Sequence, residues 1–247
     1  MSRKVMAPVV HLHSAVALAG RFPALSGVDL SVDPGEVVVV LGPNGAGKTS
    51  LLRTCAGLLP VTSGEAWVLG CDLTDDRTAV RRQVGLLGHA APLYDELTAV
   101  ENVRFAVRAL GLPTDRVDPA LERLGLVGRL RRTTVGRLSA GQRRRVALAS
   151  LLARGPELWL LDEPHAGLDA AARELLAELI AEAAAGGVAV LLSSHEPDLA
   201  VPLADRVVTM AGGAITHESR GGRRAPLTAV PNPPALSTSD GGSSHVA

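Results

Sequence analysis

Val37-Val38-Val39-Val40-Leu41, followed by Gly42-Pro43-Asn44-Gly45-Ala46-Gly47-Lys48-Thr49 and then Ser50-Leu51-Leu52-Arg53, is the segment on which the fold turns. The β-branched run reads as a short strand buried on both faces. The next eight positions fit G-x-x-x-x-G-K-[ST], set between that strand and a helix opening at Ser50, as the motif requires. Backbone N–H groups of such a turn point inward and wrap phosphates, and the helix N-terminus adds positive potential. Glycines permit backbone angles that side chains would block. Lys48 is expected to reach the β- and γ-phosphates and the Thr49 hydroxyl to ligate Mg²⁺. Gly42, Pro43, Asn44, Gly45, Ala46, Gly47, Lys48, Thr49 and Ser50 therefore form the expected nucleotide site. GTPases usually specify guanine with Asn-Lys-x-Asp, and none of Asn44, Asn102 and Asn232 begins such a motif.

Further along, Leu158 to Leu161 reads as a second buried strand, ending in Asp162-Glu163-Pro164. Ala170 to Ala185 is rich in helix formers, capped by Asp169 in front and by Gly186-Gly187 behind. Val188 to Leu192 is a third strand running into Ser193-Ser194-His195. This alternation predicts an α/β fold with a mostly parallel sheet covered by helices. Ligand sites in such sheets lie past the carboxyl ends of the strands, where all three clusters fall. The middle, about residues 90–152, reads as a helical insertion, with amphipathic stretches at Glu101–Leu110 and Pro119–Leu124. Residues 1–217 are expected to form one domain and 218–247 a flexible tail rich in Gly, Pro and Ser.

Composition bounds the function. Twenty-five basic residues balance 25 acidic ones in 247, against the positive surplus of a sequence-independent nucleic-acid binder. No uninterrupted apolar run is long enough to cross a bilayer. Ser2-Arg3-Lys4 before an apolar stretch has the look of a signal peptide. Pro8, His11 and His13 interrupt it, and the alternation at Val10 and Leu12 favours an edge strand. Cys55 and Cys71 are too few for a disulfide framework, so a reducing compartment is the simpler reading.

Leu138-Ser139-Ala140-Gly141-Gln142 precedes a helix for which Ser139 is a good N-cap. Arg143, Arg144 and Arg145 in its first turn oppose the helix dipole. An exposed basic face is the simplest account of them. An anion arriving at the Ser139 end, or nearby acidic side chains, would remove the conflict.

These residues resemble the LSGGQ signature of ATP-binding-cassette (ABC) ATPases, with Ala140 in place of a glycine. The other cassette elements follow in order: the phosphate loop, Leu158 to Asp162 with Glu163 next, Ala166-Gly167-Leu168-Asp169, and His195. The resemblance covers roughly residues 9–217 and implies a P-loop NTPase core of ABC type, with a mostly parallel sheet, an antiparallel β edge and a helical subdomain. It also implies ATP and Mg²⁺ as ligands and a dimer, a homodimer or a heterodimer with another cassette, in which the signature of one member (Ser139, Gly141, Gln142) faces the γ-phosphate held by the other. Asp162 would position Mg²⁺ together with Thr49, and Glu163 would orient the attacking water. His195 matches the residue that contacts the γ-phosphate. Asp169 matches the aspartate that bridges the dimer, beside its capping role. The family's glutamine ahead of Leu97-Thr98 is here His89. Its imidazole can accept a hydrogen bond from a metal-bound water with a different reach, so His89 is a candidate at the metal that departs from the pattern. Phe22, upstream of the loop, suits either an adenine-stacking ring or a core phenylalanine.

Gly88-His89-Ala90-Ala91-Pro92-Leu93-Tyr94-Asp95 together with the Ala140 signature is similar to the ATP-binding subunits of haem exporters of the cytochrome c maturation type. That likeness implies a cytoplasmic protein, peripheral on the inner face of the cell membrane, which drives separate integral membrane subunits through a contact around His89 to Phe105. Cys55 and Cys71 lack the following Pro or His of common haem motifs, so no haem site is expected in the chain itself. The ATPase of another exporter (drug, lipid or small molecule) and a non-transport cassette remain the alternatives.

Overall fold

A strand with no polar face needs cover on both sides. The structure, a computed structural model describing residues 7–88 and 92–223, provides it. The hairpin of β1 (Val10–Ala19) and β2 (Phe22–Val32) precedes β3 (Val37–Leu41), which leads into α1 (Lys48–Cys55). β4 (Val61–Val68) and the short β5 (Cys71–Asp72) complete a four-stranded antiparallel sheet in the order β2-β1-β4-β5. After β6 (Val84–Leu87) come α2 (Ala99–Arg108), α3 (Val117–Arg123), α4 (Gly128–Arg131) and α5 (Ala140–Arg154). The chain then runs through β7 (Leu158–Asp162), α6 (Ala170–Ala185), β8 (Ala189–Ser194), α7 (Pro197–Ala200), β9 (Arg206–Ala211) and β10 (Ala214–Arg220). The second sheet has the order β10-β9-β3-β8-β7-β6, with β10 antiparallel at the edge and every other neighbouring pair parallel.

Alternation along β3 assigns its two faces. Val37 and Val39 pack with Val103 of α2, Leu121 of α3, Leu148 of α5 and Ile180 of α6. Val38 and Val40 pack on the opposite side with Leu51 and Leu52 of α1 and with Leu12, Leu30 and Val68 of the antiparallel sheet. Both layers are dry, which is why the run could be written wholly in apolar residues. Cys55 sits in the second layer, where burial pushes its thiol pKa up to about 12, so it behaves as a core residue.

Three expectations change. The Val10/Leu12 strand is not at an edge: β1 pairs with β2 on one side and β4 on the other, and its alternating burial serves the inward face of that sheet. Residues 218–220 are not tail but the end of β10, where Glu218 pairs with Arg206 at 3.2 Å. Backbone N–H groups of Gly221, Gly222 and Arg223 donate to Asp205, Val201 and Ala204, so the fold holds the chain to Arg223. Residues 224–247, the rest of the expected tail, lie outside the described residues, as does His89. Phe22 is not a core residue, being 79% exposed.

Candidate nucleotide-binding and catalytic site

The parallel strands β3, β7 and β8 end side by side, and the groups at their carboxyl ends meet in one cleft of about 500 Å³. Asn44 to Ser50, Asp162 and Glu163 line it, with Pro23, Ala24, Gly212 and Gly213 opposite. Phe22 precedes the lining residue Pro23 but does not itself line the cleft, so its exposure removes the core alternative without placing the ring against a base. Two glycines of the turn are dictated by geometry. At Gly42 (φ +147) a Cβ would stand 2.3 Å from the Met210 carbonyl, and at Gly47 (φ +105) it would stand 2.8 Å from that of Ala24. Backbone passes too close for any side chain there.

Lys48 is 6% exposed, and its Nζ donates to the carbonyls of Gly42 (2.7 Å) and Pro43 (3.2 Å). The ammonium is thereby held over its own loop, 3.8 Å from Glu163 Oε1. Thr49 Oγ1 donates to Asp162 Oδ2 at 2.9 Å, while Ser193 Oγ donates to Asp162 Oδ1 at 2.6 Å. The parallel register that sets Asp162 opposite Ser193 makes this pairing, which fixes the carboxylate plane. A hydroxyl and a carboxylate oxygen in contact, both lining the cleft beside the glycine turn, suit a hard divalent cation whose remaining ligands come from phosphate and water.

Glu163 follows β7 with φ +48, a left-handed conformation that a non-glycine residue adopts at a cost. Its N–H lies 3.2 Å from both the carbonyl and the Oγ of Ser193. Its Oε2 lies 2.8 Å from His195 Nδ1 and accepts from the His195 N–H at 3.3 Å. One carboxylate thus stands between a cation and an imidazole at the mouth of the cleft.

Ser139 caps α5, accepting from the Gln142 N–H while the Gln142 side chain accepts from the Ser139 N–H. Asp169 caps α6, accepting from the Ala172 N–H at 2.8 Å. Neither Ser139, Gly141 and Gln142 nor Asp169 lines the cleft of this protomer. Within one copy the structure brings together the phosphate loop, Asp162, Glu163 and His195, and leaves the signature end of α5 apart.

Sequence reasoning missed three residues. Ser193 is a hydroxyl at a strand end whose partner is visible only once the strands are paired. His165 is buried, with an Nδ1 that has no partner among the described residues, and nothing in the local sequence marks it for burial. Arg144 is 8% exposed, which overturns the exposed-face account for that arginine; Arg143 does meet an acidic partner, Asp95, at 3.1 Å.

Residues 25–166, from β2 to the turn after Glu163, match the ABC transporter family. The chain belongs to that family. Among ABC proteins it is 44% identical over 188 residues to the cytochrome c biogenesis ATP-binding export protein CcmA of Bordetella bronchiseptica, covering 74% of this chain and 83% of the relative. It is 41% identical over 203 residues to a putative ABC transporter ATP-binding protein of Methanopyrus kandleri, covering 79% and 75%. A dimeric ATP-binding cassette in a post-hydrolysis state bound to ADP and Pi superimposes with a TM-score of 0.77 at 28% identity, covering 87% of this chain and all of that one. The chain is an ABC-type ATPase subunit with the family's α/β core, parallel sheet, antiparallel sheet and helical region. ABC cassettes bind adenine nucleotide and dimerise. Among the described residues no helix is long and apolar enough to cross a membrane.

Proposed function

We propose that this ATPase works as a dimer on the inner face of the cell membrane, where it drives a separate membrane subunit that exports haem for cytochrome c maturation. Support for the cargo comes from four curated relatives named cytochrome c biogenesis ATP-binding export protein, 40–44% identical to this chain. The observation that carries the chemistry is the contiguous set Thr49–Asp162–Ser193 and Lys48–Glu163–His195 around one cleft.

In this reading the glycine turn and the α1 N-terminus receive the triphosphate, and Lys48 exchanges its loop carbonyls for β- and γ-phosphate oxygens. Thr49 and Asp162 would hold Mg²⁺, which neutralises phosphate charge when bound. Glu163, pinned by His195, holds a water in line with the γ-phosphate and takes its proton as the water oxygen bonds to phosphorus and the bond to the β–γ bridging oxygen breaks, releasing ADP and phosphate. The Ser139 end of the partner's α5 closes over that phosphate, with Gly141 and Gln142 beside it and Asp169 at the seam between copies. That arrangement adds an anion at the start of α5, where Asp95 already answers Arg143 and backbone carbonyls hold Arg144. Binding closes the dimer and hydrolysis releases it, moving the membrane partner.

An apolar groove of about 280 Å³ beyond β6, lined by Pro92, Leu93, Tyr94, Phe105 and Leu151 among others, supports a contact to that partner here. Tyr94 and Phe105 are both exposed, packed edge to face with ring centroids 5.0 Å apart. They are large rings for a free surface and suit an apolar helix end.

Glu163→Gln tests the reading. The variant keeps ATP binding, loses at least about a hundredfold in turnover, and accumulates a dimer with Mg-ATP in size-exclusion chromatography. Turnover near wild type would remove Glu163 from the water-orienting role, and a monomer under saturating ATP would remove the shared site.

A further inference from the structure

The three arginines that open α5 go to different places. Arg143 faces outward to Asp95 and the Gly136 carbonyl. Arg144 turns inward beneath the ends of the parallel strands. Its Nη1 donates to the Gly88 carbonyl at 2.6 Å, and its Nη2 lies 3.4 Å from the Asp162 carbonyl and 3.3 Å from that of Glu163. Gly88 follows β6 directly and precedes His89; Asp162 ends β7. One guanidinium therefore ties two neighbouring strand ends together at the point where their loops diverge.

Burying that group is unfavourable. Desolvation lowers the Arg144 pKa, with the nearby Asp162 charge opposing the shift, and its Nε has no partner among the described residues. A hydrophobic side chain would fill the space without leaving a donor unmatched. What a hydrocarbon could not do is hold the Glu163 carbonyl, and Glu163 is the residue in the left-handed conformation. A planar fork reaches several carbonyls at fixed angles, which a lysine ammonium cannot reproduce.

Arg144 also rides on the helix whose first turn is the Ser139 cap. We propose that Arg144 is a positioning residue that links the Ser139 end of α5 to the backbone of Glu163 in the same protomer, so that the partner's triphosphate arriving at Ser139 sets the geometry of this protomer's own hydrolytic carboxylate. The inference rests on the shared-site dimer proposed above. Because each copy's Ser139 serves the other copy's nucleotide, the link joins the two hydrolysis sites, and the coupling runs both ways.

The test uses the full chain and steady-state ATP hydrolysis. Arg144→Ala and Arg144→Lys both lose about ten- to a hundredfold in kcat, as a displaced catalytic group does, with KM for ATP within about twofold because Lys48 and Thr49 are untouched. The Hill coefficient for ATP falls toward one in both. Added guanidinium ion restores turnover to Arg144→Ala, which has an empty slot, and not to Arg144→Lys. Arg144→Ala combined with Glu163→Gln still forms the ATP-driven dimer at the ATP concentration that dimerises Glu163→Gln alone. Should Arg144→Ala fail to fold, Arg144→Lys decides: wild-type kcat and cooperativity in that variant overturn the proposal. So does a double variant that no longer dimerises while Glu163→Gln does, since Arg144 would then act on assembly. Failure of Glu163→Gln itself to dimerise overturns the shared site and this link with it.

Discussion

Asp162 accepts from Thr49 on one oxygen and from Ser193 on the other, so its carboxylate has a single orientation before any ligand enters. Preorganisation of this kind removes a reorientation step from the reaction. Asp162 and Glu163 were legible from their place after an apolar strand. Ser193 was not, because its role depends on a parallel pairing between segments far apart in sequence. His165 shows the same limit in another form. Burial depresses its pKa; the charges of Arg173 and Arg144 add to that, while those of Glu196 and Glu163 oppose it. A histidine depressed in the folded state stays neutral where the unfolded chain takes up a proton. Its contribution is therefore intact above about pH 6.5 and is lost as pH falls below that value. His165→Phe is expected to flatten the fall in stability between pH 7 and pH 5, by up to about 1.4 kcal/mol per pH unit. Urea denaturation midpoints across that range measure it. Parallel curves for the two proteins would show that His165 titrates alike in both states.

Two helices of the helical region begin in the same way. Thr98 and Glu101 form a capping box at α2, and Ser139 and Gln142 form one at α5. The Ser139 cap could be read from sequence. α2 was placed to begin at Glu101, where the structure begins it at Ala99, because Glu101 is the reciprocal member of the cap and not the first helical residue. The sharing of a motif separates structure from chemistry. Thr98→Ala and Ser139→Ala each remove one cap and should each lower the unfolding free energy by about 1 kcal/mol. In the Glu163→Gln background only Ser139→Ala should also weaken ATP-driven dimerisation, since only that helix end is proposed to meet a phosphate. Thermal melts and size-exclusion chromatography on the two variants measure both effects. Equal dimerisation would reduce Ser139 to a cap.

At the scale of the molecule, the six-stranded sheet divides the labour. One face carries α1 and the antiparallel sheet, the other carries α2, α3, α5 and α6, and the strand ends between them hold the nucleotide cleft. The parallel sheet and the helical insertion were legible, because unbroken apolar strands alternate with amphipathic helices. The strand order β10-β9-β3-β8-β7-β6 was not, since every parallel neighbour is brought in by a long crossover and local pattern says nothing of which strands meet. The apolar groove was hidden for the same reason: Tyr94, Phe105 and Leu151 come from a loop and two helices that only the tertiary fold gathers. β6 joins the two regions. It ends at Leu87, one residue before the Gly88 that Arg144 holds, and Leu86 and Leu87 line the groove, so a partner seated there as proposed would push on the strand paired with β7. Phe105→Asp places a carboxylate in that groove and removes the edge-to-face contact with Tyr94, so the unfolding free energy should fall by about 1 kcal/mol without loss of the fold. Basal ATP hydrolysis by the isolated chain should stay at the wild-type rate, because nothing in the nucleotide cleft is altered. Recovery of the integral membrane subunit with the tagged chain from detergent-solubilised membranes should fall to background. Wild-type recovery with Phe105→Asp would move the transport contact off this groove and leave the coupling through β6 without an input.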